Sequence, residues 1–276
     1  MISIITPVYN GEKFIEPCIK NVIDQKCSDM EHIIVDGGST DRTVEIIKQY
    51  AERYPHIRWI SKKDKGQSDA MNKGITMAQG EVLGILNVDD FYELDVLNRV
   101  VEIFRTLPEP SLLVGNCNLW DDEAKITHVN KPANLNFFDL LTGLEHKNPF
   151  PYNPSAYFYH TSLHQKIGTY TVDDHYQMDL DFILRAVQVA TVKYVDELWG
   201  NYRLIKGTKT FNHSLNGQSE DRFLQLLRQY RKKLPFFQQV QILIIKNLQS
   251  LKYFLRKLKS FSSVGRPEST EEYKSV

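Results

Sequence analysis

Ile2-Ser3-Ile4-Ile5-Thr6-Pro7-Val8-Tyr9-Asn10 has a form that recurs three times in the first half of the chain. A short β-branched run gives way to small and polar residues. Ile33–Val35 leads into Asp36-Gly37-Gly38-Ser39-Thr40-Asp41, and Val82–Leu86 into Asn87-Val88-Asp89-Asp90. Ile57–Ile60 comes just before Asp64-Lys65-Gly66-Gln67-Ser68-Asp69-Ala70-Met71-Asn72-Lys73-Gly74. Runs of this length and content are strand-like. Between them, apolar residues return at one-face helical spacing: Phe14, Ile15, Cys18, Ile19, Val22 and Ile23, then Val44, Ile47, Tyr50 and Ala51, later Leu94, Leu97, Val100, Val101 and Phe104. Ser39 or Thr40 is the expected start of the second helix, and Asp90 lies just ahead of the third. The alternation predicts an α/β fold, a mostly parallel sheet flanked by helices on both faces. Ligands bind such sheets beyond the carboxyl ends of the strands. The four polar segments are therefore expected as acidic, Gly-rich loops on one rim.

With 276 residues, 42% of them hydrophobic, the chain can bury a sizeable core, which excludes wholesale disorder. One large domain with an appendage fits the length. Cys18, Cys27 and Cys117 form no CxxC pair, so a reducing compartment is expected rather than a disulfide scaffold. No charged segment followed by an apolar run opens the sequence, and no run of 18 apolar residues occurs. A cytoplasmic chain without a conventional spanning helix is the expectation.

The 34 basic and 34 acidic residues cancel in number but not along the chain. Arg222 to Lys259 contains ten basic residues and no acidic one, while residues 1–221 carry 22 basic and 31 acidic groups, a net of −9. Within the basic stretch Phe223, Leu224, Leu226, Leu227 and Tyr230 share a face. After Pro235, Val240, Leu243, Ile244, Asn247, Leu248, Leu251, Phe254, Leu255 and Leu258 repeat at three-and-four spacing. A basic amphipathic helix suits the interface of an anionic membrane, here the inner face of the plasma membrane. The alternatives are packing on the rest of the chain or on a second copy in a homodimer. No nucleic-acid motif accompanies the charge, so nucleic acid is not an expected partner.

Asp89 and Asp90 follow a buried-type run directly, and two hard carboxylates there suit magnesium or manganese. Such an ion would neutralise a diphosphate and stabilise it as a leaving group. Helix capping by Asp90 is the competing reading, and it leaves Asp89 unexplained. Asp36, an acceptor-only carboxylate when ionised, is a candidate partner for a base or ribose, and Tyr9 offers an aromatic face. His32, His128, His146, His160 and His164 show no zinc spacing.

Taken together, Ile4–Asn10, Ile34–Asp41, Asp64–Gly74 and Leu86–Asp90 resemble the inverting glycosyltransferases of family 2, which have the glycosyltransferase A fold. The resemblance is strongest over residues 1–115 and weaker to about 210. It implies transfer of a sugar from a nucleotide-diphosphate donor to a saccharide or lipid-linked saccharide, with inversion at the anomeric carbon. It implies a nucleotide-sugar half at 1–115 and an acceptor half of the same catalytic domain at 116–215, to which charge pattern and composition add a basic helical segment at 216–262 and a disordered tail at 263–276. Thr6, Pro7, Tyr9 and Asp36 then fall at the nucleoside, Ser39 and Asp41 close that loop, and Asp69 lies near the ribose or sugar. Asp89 and Asp90 match the Asp-x-Asp-type element that reaches ribose and metal.

Inversion by direct displacement needs a general base for the acceptor hydroxyl. Tyr176–Arg185 resembles the family's acidic helix start, which implies Asp179 as that base, with Asp181 as runner-up; Asp179 as a helix-dipole partner is the structural alternative. Asn153–Phe158 resembles the strand lining the acceptor cleft, though relatives more often have Gln at Asn153. Tyr202–Thr210 resembles a mobile loop over the donor. Ile205 stands where relatives often have His, leaving Arg203, Lys206 and Lys209 to offset phosphate charge. Residues 121–153 read as a long irregular, acceptor-facing segment. Two other functions compete: a nucleotidyltransferase, which would need a Gly-rich basic loop that Thr6–Gly11 lacks, and a non-catalytic nucleotide-sugar-binding module.

Overall fold

The strands β1 (Ile2–Val8), β2 (Met30–Asp36), β3 (Ile57–Ser61) and β4 (Val82–Ile85) lie side by side and parallel, in the order β3-β2-β1-β4. Their carboxyl ends consequently face one rim. The computed structural model describes residues 1–142, 150–172, 177–206, 211 and 218–248. Every residue of β1, β2 and β4 is buried, as in a parallel sheet covered on both faces, and this is why they read as continuous apolar runs. Helices α1 (Ile15–Asp24), α2 (Thr43–Arg53), α3 (Gln67–Met77) and α4 (Val96–Phe104) connect and follow them. Ile15, Cys18, Ile19 and Val22 form the buried stripe of α1.

Several boundaries differ from expectation. The segment Asp64–Gly74, read as a loop, is mostly α3; its small, polar side chains hide the period, but Gly74 lets the helix press onto β1, where a Cβ would stand 2.4 Å from Ile5 Cγ2. Asp41, rather than Ser39 or Thr40, meets the start of α2, accepting from Thr43 N at 3.0 Å. Leu94 is 79% exposed and precedes α4, which is entered through Asp95 in the left-handed region at φ 61°. Asp90 caps no helix.

Beyond β4 the sheet continues as β8 (Tyr157–His160), β6 (Ser111–Trp120), β9 (Thr191–Arg203) and β5 (Phe91–Tyr92), with β7 (Ile126–Asn130) paired to β6. β8 runs antiparallel to both β4 and β6, β7 antiparallel to β6, β5 antiparallel to β9, and β9 parallel to β6. The nine-stranded sheet is therefore mixed, with its parallel character concentrated in the first half. Hydrophobic period reveals a strand but not its direction. The expected irregular stretch 121–153 contains β7 and α5 (Phe137–Thr142), whose Leu140 and Leu141 are buried, and residues 143–149 lie outside the described ones. α6 (Leu163–Ile167), α7 (Met178–Ala186) and α8 (Gln218–Lys232) complete the named helices.

Met1–Arg228 forms one compact unit and Gln229–Val276 a second. In the second, residues 236–248 are helical. Lys209, the continuation beyond 248 and the expected disordered tail lie outside the described residues. Among the described residues no helix is long and apolar enough to cross a membrane.

Candidate functional site

A cleft of about 530 Å³ opens where the carboxyl ends of β1 and β4 meet the turn into α3. Pro7, Tyr9 and Gly11 line it from β1, Asp64, Gly66 and Gln67 from the α3 turn, Asn87 to Asp90 from β4, and Tyr202 from β9. Two loops are laced together to form its wall. Asn10 N donates to Ser39 Oγ (2.7 Å) and Thr40 N to Asn10 Oδ1 (2.9 Å). Gly11 N donates to Thr43 Oγ1 (2.9 Å) and Glu12 N to the Asp41 carboxylate (3.1 Å).

The residues expected at the nucleoside separate into two groups. Tyr9, 63% exposed, and Pro7 line the cleft. Thr6 and Asp36 are fully buried and do not. Thr6 Oγ1 is hydrogen-bonded to His32 Nε2 at 2.9 Å. The Asp36 carboxylate accepts from Gly38 N (3.0 Å), Ser39 N, Ser39 Oγ and Ser61 Oγ (2.6 Å), so it shapes its own turn instead of facing outward. Asp69 is likewise turned to its own helix start, accepting from Lys65 N and pairing with Lys73, each at 3.1 Å; the Lys65 N–H is the main cause of its lowered pKa. The carboxylate that does line the cleft is Asp64. It lies so close to Gly37 that a Cβ there would meet Asp64 Oδ2 at 2.5 Å, which is what the second glycine-rich turn provides.

Asp89 and Asp90 both line the cleft but are bonded differently. Asp90 is 2% exposed. Its Oδ2 accepts from Asn87 Nδ2 (3.0 Å) and Asn153 Nδ2 (2.7 Å), and its Oδ1 from Arg203 N (3.1 Å). Gln67 Nε2 in turn donates to Asn87 Oδ1 (2.8 Å). Asp89 is partly exposed, and among the described residues no other residue donates to its carboxylate; the Arg203 guanidinium donates to its backbone carbonyl. Burial raises both carboxyl groups, and the charge of Asp89 adds to burial in raising Asp90 to about 8. A pair held above the ordinary carboxylate range gains from a neighbouring cation. Asp89 is the member with oxygens open to receive one. Asp90, expected to share the ion, has its oxygens engaged by three N–H groups. Among the described residues no cluster of three or more His, Cys, Asp or Glu forms a closed metal cage. One or two carboxylates suffice for magnesium- or manganese-type ions, which keep waters and substrate phosphates in their shell.

Arg203 packs its guanidinium 5.8 Å from the Phe14 ring and 5.9 Å from Phe91, so the end of β9 is tied to the Asp89-Asp90 turn. Lys206 is exposed, with its backbone N–H on Asp122 Oδ1 (2.8 Å).

Asp179 sits in the first turn of α7 and accepts from Tyr157 Oη at 3.2 Å. Asp181 is bound to Arg185 at 2.9 Å and to Thr171 Oγ1 at 3.1 Å. Asp179 is not among the residues lining the cleft. Its helix nonetheless meets α3, because Ser68 Oγ donates to Met178 Sδ (2.9 Å); Asn72 of α3 also exchanges two 2.9 Å hydrogen bonds with the Tyr170 backbone. Sequence reasoning did not single out Asp64, Gln67, Asn87 or Tyr202, and it left Asn153 without a role. Asn153 is 2% exposed and holds Asp90 while its Oδ1 accepts from Ser155 N (2.8 Å). Asp64, Gln67 and Asn87 lie inside the quoted motifs and Tyr202 opens the predicted donor loop, but spacing does not say which side chains of a motif face the cleft.

The model of the family described as "Glycosyl transferase family 2" matches residues 3–165. The "Uncharacterized glycosyltransferase EpsJ" of Bacillus subtilis (strain 168) is 30% identical over 248 residues, covering 86% of this chain and 70% of that one. A "Chondroitin synthase" of Escherichia coli is 27% identical over 225 residues, covering 81% of this chain but only 32% of the longer relative. Among solved structures, S. aureus TarS 1-349 in complex with UDP-GlcNAc superposes with a TM-score of 0.60 at 17% identity, covering 75% of this chain and 59% of that one. At that identity the likeness speaks for the fold.

Proposed function

This chain belongs to glycosyl transferase family 2, and from that premise we propose that it moves a sugar from a nucleotide-diphosphate donor to a saccharide or lipid-linked saccharide acceptor with inversion at the anomeric carbon. The observation that carries the reading is Asp89, a half-buried carboxylate of raised pKa opening into a cleft and backed by an immobilised Asp90. The UDP-GlcNAc in the TarS complex and the polymer named for the chondroitin synthase support a nucleotide sugar and a saccharide.

Tyr9 and Pro7 give the nucleoside an aromatic and an apolar surface, and Asp64 accepts hydrogen bonds from it. Asp36, Ser39 and Asp41 act one step back by holding the two loops together. Asp89 holds a magnesium or manganese ion, which when bound supplies the positive charge that a departing diphosphate needs. Asp90 fixes the turn that aims Asp89. Arg203 fixes the same turn from β9, and Lys206 adds cationic charge from its exposed position.

Asp179, oriented by the Tyr157 hydroxyl, takes the proton from the acceptor hydroxyl. The acceptor oxygen then bonds to the anomeric carbon on the face opposite the diphosphate, and the bond from that carbon to the diphosphate oxygen breaks with its electron pair leaving on the nucleoside diphosphate. Asp181 is committed to Arg185 and plays a structural part.

The test is release of nucleoside diphosphate from a panel of nucleotide sugars by the full chain, with manganese and after chelation. Turnover of one donor that disappears on chelation and returns with manganese is expected. Turnover that ignores chelation would remove the ion from the account, and absence of turnover or binding with every donor would remove the donor.

A further inference from the structure

The helical run 236–248 presents its apolar residues on the wrong side for a helix that only packs inward. Phe236, Phe237, Leu243, Ile244 and Leu248 are 80, 67, 58, 52 and 53% exposed, while Ile242 is 2% exposed. At about 100° per residue those five side chains project within an arc of roughly 140°, and Ile242 points to about the opposite side. The helix therefore has one face already buried and a second, larger apolar face turned to solvent. Contiguous exposed apolar surface of this kind marks an interaction site.

The charge along this part of the chain chooses the partner. Lys232 and Lys233, just before the helical run and in the same unit, are exposed, and from Arg222 to residue 248 the sequence holds six basic residues and no acidic one. A second copy docking face to face would bring two such cationic stretches together, and like charges repel at separations within the Debye length, about 8 Å at physiological salt. An anionic lipid surface meets both features, receiving the apolar side chains below its headgroups and the lysines and arginines among its phosphates. Among the described residues no helix is long and apolar enough to cross a membrane, and a basic amphipathic helix lies in the plane of the interface.

We propose that the outer face of helix 236–248 docks on an anionic membrane surface, through Phe236, Phe237, Leu243, Ile244 and Leu248 with the neighbouring basic residues as the electrostatic component. This attachment does not depend on the transferase reading.

Flotation of the full chain with lipid vesicles tests it. The wild type is expected to float with vesicles containing phosphatidylglycerol and to stay behind with pure phosphatidylcholine, the bound fraction falling as salt rises. The double variant Leu243→Ser/Ile244→Ser should lose roughly tenfold or more in vesicle affinity. The double variant Lys232→Gln/Lys233→Gln should lose about fivefold per charge. Unchanged circular dichroism of both variants would show that the fold is intact. Wild type that floats with neither vesicle, or a Leu243→Ser/Ile244→Ser variant that floats as well as wild type, would overturn the proposal. So would light scattering that finds a dimer which this variant dissolves, since the face would then belong to a second copy. Flotation reads no turnover, so its failure is distinguishable from failure of the assigned reaction.

Discussion

Along β1, β2 and β4 every residue is buried and each strand hands a polar segment straight to the rim, whereas Asn153, Asp179 and Arg203 come from a 3-10 turn, a helix start and a strand end far apart in the chain. The first region makes its cleft from contiguous sequence. The second contributes single side chains, and the sheet order puts them in place: β8 beside β4, then β6 and β9. Asp90 is where the two meet, accepting from Asn87 on one side and from Asn153 and Arg203 on the other. Local motifs can therefore build a binding surface, while alignment of the chemistry depends on long-range packing.

The largest effect expected from breaking this division lies in the second region. Asp179→Asn should lower the transfer rate by about a hundred- to ten-thousand-fold, the range of a lost general base, with donor affinity by titration calorimetry unchanged. Asp181→Asn should instead cost stability, about 1.5–3 kcal/mol for a hydrogen-bonded charged partner, and leave turnover of the folded protein largely intact. The reverse pattern would exchange their roles.

At the junction, Asn153→Ala removes one of the two donors to Asp90 Oδ2. Urea denaturation should register a loss of about 1–3 kcal/mol, since the buried Ser155 N–H also loses its Asn153 Oδ1 acceptor. An unchanged midpoint would mean that the halves are not joined through Asp90.

The smallest effect is a drift with pH. Asp90 is raised from 3.8 to about 8 by burial and by Asp89, so the folded chain binds more protons than the unfolded one between those values. Its stabilising contribution in metal-free protein is complete below the unfolded value and fades as pH rises to about 8. Wild type should lose melting temperature relative to Asp90→Asn across that window, and a constant difference would contradict the assignment.

These two regions also differ in how far they can be read without coordinates. β1, β2 and β4 announce themselves because both faces are covered, and the rim follows from their parallel order. α3 does not, since Gln67, Ser68, Asp69 and Asn72 interrupt its apolar period while bonding Asn87, Met178, the helix's own start and the Tyr170 backbone. Thr6 and Asp36 belong to the right loops but face inward, a distinction of side-chain direction that spacing does not encode. Asp64 takes the open position because Gly37 leaves room for it. Asn153 and Arg203 become meaningful only once β8 and β9 are placed, and no local pattern records that their partner is Asp90. Leu243, Ile244 and Leu248 of the exposed face were legible as a stripe, while Phe236 and Phe237, directly after Pro235, were not part of it.

In the proposed reaction Asp89 is the open carboxylate that receives the ion at the donor diphosphate. Titration of manganese into the full chain in the presence of UDP, for wild type and Asp89→Asn, tests it most directly. The prediction is a saturable site in the wild type that strengthens as pH rises, since burial makes protons compete for Asp89, and loss of that site in the variant with the melting curve retained. Manganese bound equally well by Asp89→Asn would contradict it.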